Sequence, residues 1–454
     1  LFFNEFLKNS HFYTNFFPSP NGFMKSPFSY TNIKCFLAFR VLFNARFYYP
    51  VFTILFLDMG LTLEQFALLN AAWAATIVLS EVPSGALADR WGRKRMVQLA
   101  ATLMVLEMAL LCLTPQGSSS YLFWIVLLNR MLSGVAEAAA SGADEALAYD
   151  TLVDNKQKDQ WPRVLTALMR LQSLGFVIAM SLGAAIYDPD LVQSVAHWLG
   201  WTREWSQSDT LKWPLYLNLG TALIAFLIVK KMKDPPLHTQ VGLESSSTGA
   251  WKETVKAGFW VLRTPIPFLL LLAGLFYDSI TRLFATLTSE YYRLIDIPEG
   301  YYGLIGSGVA FLGLILPWLA RVMVEKFTMR TNAVLLALWI AFSLYGLSLL
   351  LPLTGLVFAV GTLVSMQFTG FFVSHYLNQV VDSKHRATVL SFRGLANNLA
   401  YGALSLVYAG LINWMRTQGA SGDEAFAWAL YWFAPYFLFS FFILFCAALV
   451  RAKR

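Results

Sequence analysis

Charge is scarce in this sequence. Asp, Glu, Lys and Arg make up 13% of its 454 residues, about half the share that a soluble domain carries. So little charge cannot coat a water-facing surface over a chain of this length. The apolar excess, 57% of residues, must face something other than water, and lipid fits. Cysteine is rare too. Cys35, Cys112 and Cys446 lie far apart, within or beside apolar segments. They form no CxxC and no metal-ligand spacing, so they read as small core residues. The five histidines, His11, His197, His238, His375 and His385, are scattered. No metal and no cofactor is expected. A clustered nucleophile and base is missing, as is HExxH, and this sets aside a membrane-embedded enzyme. The formal charge of +7 does not point to nucleic acid, because Lys and Arg form no single patch. They sit in short clusters between apolar runs, as the positive-inside rule describes.

What is abundant is apolar length. A spanning helix needs about 20 mostly apolar residues. That window finds about twelve spans, near 35–58, 63–88, 96–114, 119–150, 162–187, 212–232, 264–292, 299–324, 331–351, 354–380, 387–414 and 425–449. Aromatic residues, 16% of the chain, suit lipid-facing surfaces and interfacial belts. The basic clusters Arg90 to Arg95, Lys230 to Lys233, Lys384 to Arg386 and Arg451 to Arg454 fall on one side if the spans alternate. The opposite loops, Pro115 to Ser120 and Pro352 to Gly355, carry no Lys or Arg. Both termini are therefore expected to be cytoplasmic.

The domain reading follows. Residues 1–34 are an N-terminal tail. Leu1 to Phe23 lack the order of a signal peptide, and Met24 reads as a natural start. Residues 35–233 form a first six-span bundle, 264–450 a second, and 451–454 a basic cytoplasmic tail. Residues 234–263 are a cytoplasmic linker, with Pro235-Pro236, a Ser-rich run, and an amphipathic helix from Trp251 to Arg263. A loop from Asp188 to Leu211 carries Trp198, Trp201 and Trp205 and is expected to anchor at the membrane interface. Val153-Asp154 precedes Arg163 and Arg170, while Val381-Asp382 precedes Arg386 and Arg393 at the same arginine spacing. This fits an internal repeat of two parallel halves. The fold class is an all-α membrane protein, with twelve transmembrane helices in two pseudo-symmetric six-helix bundles.

The loop between the second and third spans reads Gly85-Ala86-Leu87-Ala88-Asp89-Arg90-Trp91-Gly92-Arg93-Lys94. It resembles motif A of the major facilitator superfamily, G-x-L-A-D-R-x-G-R-K, at every defined position. Gly85 would let helices approach closely and Gly92 would permit a tight turn. The resemblance implies that Asp89 docks near Arg386 to Ser391 in one state only and latches the inner gate. On the fourth span, Asn129 to Glu137 resembles motif B of the drug–proton antiporter branch. That resemblance implicates Arg130 and Gly134, with Arg130 in proton coupling. On the fifth, Gly175 to Ala184 keeps the register of motif C but lacks its Gly-Pro and final Gly. The antiporter signature is thus incomplete, which leaves direction open.

Charges within spans are functional candidates by default, because each costs about 2.5–3.5 kcal/mol near mid-bilayer. Arg130, Glu137 and Asp144 recur every seven residues and would share a helical face. They are the candidates for proton coupling. Candidates for the substrate cavity are Arg46, Glu81, Arg170, Asp278, Arg282, His375, Arg393 and Asn397. Asp278 and Arg282, one turn apart, should pair. Structural salt bridges between helices are the competing reading for each. The expected function is proton-coupled efflux of a small amphipathic organic molecule by alternating access. A proton-coupled nutrient importer keeps the fold and reverses direction, and a non-transporting sensor is the reading from another class. The expected partners are substrate, protons and membrane lipid, with the chain a monomer in a bacterial inner membrane.

Overall fold

The computed structural model describes residues 26–117, 121–234, 259–261, 263–381 and 383–452. The expected start at Met24, most of the linker with its amphipathic helix, and the last two residues of the basic tail lie outside them. Among the described residues, ten helical stretches are long and apolar enough to cross a membrane, and a bent pair, Glu299–Gly313 with Ile315–Lys326, makes eleven.

The first half contains α1 (Thr31–Asn44), α2 (Phe52–Asp58), α3 (Leu63–Trp91), α4 (Arg93–Leu113), α5 (Leu122–Ala140), α6 (Ala143–Asp154), α7 (Trp161–Tyr187), the short α8 (Pro189–Trp198) and α9 (Trp213–Val229). The second contains α10 (Pro265–Leu294), α11 (Tyr302–Lys326), α12 (Met329–Ser348), α13 (Leu356–Val380), α14 (Ser383–Thr417) and α15 (Gly422–Ala452). The side of the bundle carrying the start of α1 and the end of α15 is called the near side, and the opposite one the far side.

Local sequence sets several helix ends. Thr62 and Gln65 form a reciprocal capping box at the start of α3. The Asp188 carboxylate accepts from the Asp190 and Leu191 amides at the start of α8. Gly92, at φ +94°, makes the sharp turn from α3 into α4. Pro317 cannot donate to the carbonyl four residues earlier, and α11 bends by 41° just there, between Gly313 and Ile315.

Two expected spans are interrupted. The first runs as α1 and α2 with a break from Ala45 to Val51, where Pro50 lies in a short 3-10 turn. The fourth is broken between α5 and α6, because Gly142 takes a left-handed conformation at φ +74°. That break corrects the single helical face read through Arg130, Glu137 and Asp144. Only the first two share an unbroken helix.

The halves meet along three helix pairs: α3 with α14, α7 with α11, and α2 with α10. Counted as spans, these are second with eleventh, fifth with eighth, and first with seventh. Adding six to the members of one crossed pair generates the other, as two pseudo-symmetric bundles require. Glycines permit the closest approaches. A Cβ on Gly183 would strike the Phe47 carbonyl, and one on Gly303 would strike the Met180 carbonyl across the halves. For Gly85, where the same is expected, nothing among the described residues lies within 4 Å of where its Cβ would be. Large apolar side chains such as Trp124, Leu128, Phe311, Leu338 and Phe342 are exposed around the outside, the surface a lipid-facing bundle presents.

Candidate functional site

A cavity of about 680 Å³ lies between the halves. The break in the first span supplies Arg46, Tyr49, Pro50 and Phe52 to its wall. α3 adds Asn70 and Trp73, and α5 adds Arg130, Ser133 and Glu137. The second half contributes Arg282, Thr286, Tyr292, Tyr302, Gln367 and Tyr401, among others. Trp73 and Tyr401 meet edge to face across the halves, with ring centres 6.5 Å apart.

The charges on this wall differ in their partners. Arg46 is 5% exposed and its Nη1 lies 2.6 Å from Oε1 of Glu107, which α4 buries completely. Arg282 pairs with Asp278 at 2.9 Å and donates to Asn398 Oδ1 at 3.0 Å. Arg130 donates to Asn70 Oδ1 at 3.2 Å and lies 5.3 Å from the centre of the Phe52 ring and 5.4 Å from that of Trp73. The Glu137 carboxylate makes no hydrogen bond or ion pair among the described residues. The charges that act on it most are Arg46, Arg40 and Glu107.

The cavity is shut on the far side. Arg293 of α10 holds Asp58 of α2 in a bidentate grip at 3.0 and 2.7 Å, and also reaches Glu299 at 2.6 Å. The Tyr187 hydroxyl donates to Asp58 at 2.6 Å. The Gly300 amide donates to the Asp188 carboxylate at 2.7 Å, so that residue caps α8 and ties the halves together. Arg416 pairs with Glu64 at 2.6 Å. The Ser289 hydroxyl accepts from the Thr53 amide at 3.0 Å. Among the described residues, the polar bonds that join the halves lie towards this far side.

The sequence matches the family model "Major Facilitator Superfamily" over residues 35–405. The chain belongs to the major facilitator superfamily. Solved structures of transporters share its fold. A bacterial homolog of the human lysosomal transporter Spinster, inward-facing and unoccupied, superposes at TM-score 0.71 and 16% identity, covering 95% of this chain and 98% of that one. The nucleoside transporter NupG superposes at 0.70 and 12%, covering 92% and 98%. A D-xylose–proton symporter superposes at 0.61 and 13%, covering 90% and 96%. No curated protein matches the sequence significantly. This superfamily member is therefore an integral membrane transporter for a small molecule, and not an enzyme.

The transporter's near side holds motif A. The Asp89 side chain and those from Arg386 to Thr388 lie outside the described residues, so the expected inner latch does too. What is described ties the motif to its own half. Arg93 pairs with Asp150 at the end of the fourth span. The Lys94 amide donates to Asp234 at 2.9 Å, so Asp234 caps α4 from a distant part of the chain. Arg90 is exposed.

Of the residues singled out in the sequence, Arg46, Arg130, Glu137 and Arg282 line the cavity. Asp144 does not. It is fully buried against Arg40, 2.9 Å away, and the Gly142 break separates it from Glu137. Arg130 and Glu137 do not pair with each other. Asp278 reaches the wall only through Arg282. Arg393 stands within electrostatic reach of Asp278 but does not line the cavity. Asn397 is buried, and its Oδ1 has no hydrogen-bond partner among the described residues. Glu81 and Arg170 lie towards the near side, and Arg170 is exposed. His375 stacks on Phe371 and sits 3.0 Å from the Gln379 amide. None of these last five touches the wall. Among the described residues no cluster of His, Cys, Asp and Glu could hold a metal ion.

Sequence reading missed Glu107, Asp58, Arg293, Glu299 and Asp234. Glu107 carried a signal, as the lone acid in an apolar run from Met96 to Thr114. The others sit at span ends, where solvation is the ordinary fate of a charge.

Proposed function

We propose that this transporter carries a small amphipathic organic molecule by proton-coupled efflux, with the halves rocking about the central cavity. The basic clusters support cytoplasmic termini in a bacterial inner membrane, with the far side external. The protein would work as a monomer. The observation that carries proton coupling is Glu137: a carboxylate on the cavity wall that no hydrogen bond or ion pair holds among the described residues. Arg46, a counter-charge on the same wall, is already engaged by Glu107. A carboxylate free to take up and lose a proton as the cavity changes sides can tie substrate movement to the proton gradient, since a ligand shifts states only by its differential affinity.

The test uses proteoliposomes and a ligand found by thermal-shift screening of dyes, antibiotics, siderophores, lipids and sugars. Glu137→Gln keeps the shape and removes the titration. The variant should still exchange substrate in counterflow, and it should lose accumulation driven by an imposed pH difference. Full gradient-driven accumulation by the variant would sink the coupling role.

A second reading reverses direction and makes the protein a proton-coupled importer. The incomplete antiporter signature on α7 favours it, and a D-xylose–proton symporter shares the fold. Imposing the pH difference in both polarities separates the two.

A further inference from the structure

We propose that Arg130 is the anion-binding residue of the cavity, and that the molecule carried is an organic acid with one carboxylate on a flat, apolar body. This rests on the reading of the cavity as the transport site and adds the substrate class. Three arginines line the wall. Two are neutralised inside the protein, Arg46 by Glu107 and Arg282 by Asp278. Arg130 has no carboxylate partner among the described residues. It is 7% exposed, and among the described residues its side chain has one acceptor, the neutral amide of Asn70, while its buried Nε has none.

Glu137 does not serve as its counter-charge. Seven residues along the helix, it lies about 10 Å away along the axis, and no ion pair joins the two among the described residues. The rings of Phe52 and Trp73 stabilise the cation but offer no lone pair to its N–H groups. A buried guanidinium left this way is strongly unfavourable unless something supplies acceptors. A carboxylate does so with the matching planar geometry. While Glu137 on the same wall holds its proton, one unpaired cation balances one negative charge, which favours a monoanion over a phosphate dianion. The aromatic wall then takes the apolar body. Trp73 and Tyr401 bring it against both halves at once, and a cavity of about 680 Å³ suits a drug-sized molecule.

The experiment measures equilibrium binding to the full chain in lipid nanodiscs. The probes are aryl carboxylates of one to three rings, each matched with the neutral amide and the ammonium of the same ring system. Acids should bind, their amides about tenfold more weakly, and the ammonium forms not at all. Arg130→Lys should keep the order of preference. Arg130→Gln should abolish the preference for acid over amide, with acid binding falling at least tenfold to the level of the matched amide. The wild-type series alone tests the idea if a variant fails to fold. Amides binding as tightly as acids, no acid binding across the panel, or an unchanged preference in Arg130→Gln would overturn it. If a neutral or cationic probe is accumulated in proteoliposomes without acid preference, this inference falls and proton-coupled transport stands. Acid preference without gradient-driven accumulation does the reverse.

Discussion

Arg46 and Glu107 stand 61 positions apart in the chain, yet each is the other's main reason to be tolerated inside the bundle. Both are almost wholly buried. Removing one partner of such a pair strands the other, at a cost of about 3–5 kcal/mol, whereas replacing both with apolar groups is often close to neutral. Glu107→Ala should therefore lower the thermal unfolding midpoint of the purified protein markedly. Arg46→Leu combined with Glu107→Leu should recover most of the loss. A double variant as unstable as the single one would show that the pair is not a closed unit. At this scale the sequence was half legible. A charge inside an apolar run can be seen from the sequence, and Arg46, Arg130 and Glu137 were picked on that basis. The partner cannot be seen, because helix periodicity relates residues on one helix and says nothing about which residues two distant helices bring together. The stripe through Asp144 failed for a local reason, the left-handed Gly142.

Between elements, contact distance decides the conformational state. Gly303 seats α11 on the Met180 carbonyl of α7, and Ser181 and Ser307 sit 3.0 Å apart beside it. A side chain at that position has no room while the far side is closed. Gly303→Val should shift the population towards a far-side-open state. Spin labels at Tyr121→Cys and Leu353→Cys, both exposed on the far side in opposite halves, should then report a longer distance than in the parent protein. The three native cysteines would first be replaced. An unchanged distance distribution would mean that the contact relaxes without opening the halves. The glycines were visible in the sequence as motif remnants on the fifth span. Their physical use, seating α7 against the first span at Gly175 and Gly183, could not be read without knowing the neighbours.

For the molecule as a whole, the closed far side poses a question about the near one. A two-state rocker closes one side as it opens the other, and each closure needs contacts of its own. Asp89 lies on α3, which packs along α14 between the halves. If its carboxylate helps to hold the near side shut, Asp89→Asn should slow transport several-fold while expression and monodispersity stay normal. Unchanged transport at equal protein levels would remove the residue from the gate.

Hydropathy by itself determined the class of fold, because lipid demands about 20 apolar residues per crossing and admits no unpaired backbone. The loop from Gly85 to Lys94 pointed to the family, since its residue types are tied to consecutive positions. Tertiary structure decided which spans face each other across the halves, that Glu107 neutralises Arg46, and that Asp58 and Arg293 close the far side. It also left Arg130 without a carboxylate among the described residues. Those facts depend on distances between helices far apart in the chain, and a linear pattern of apolar and polar residues carries no distance of that kind.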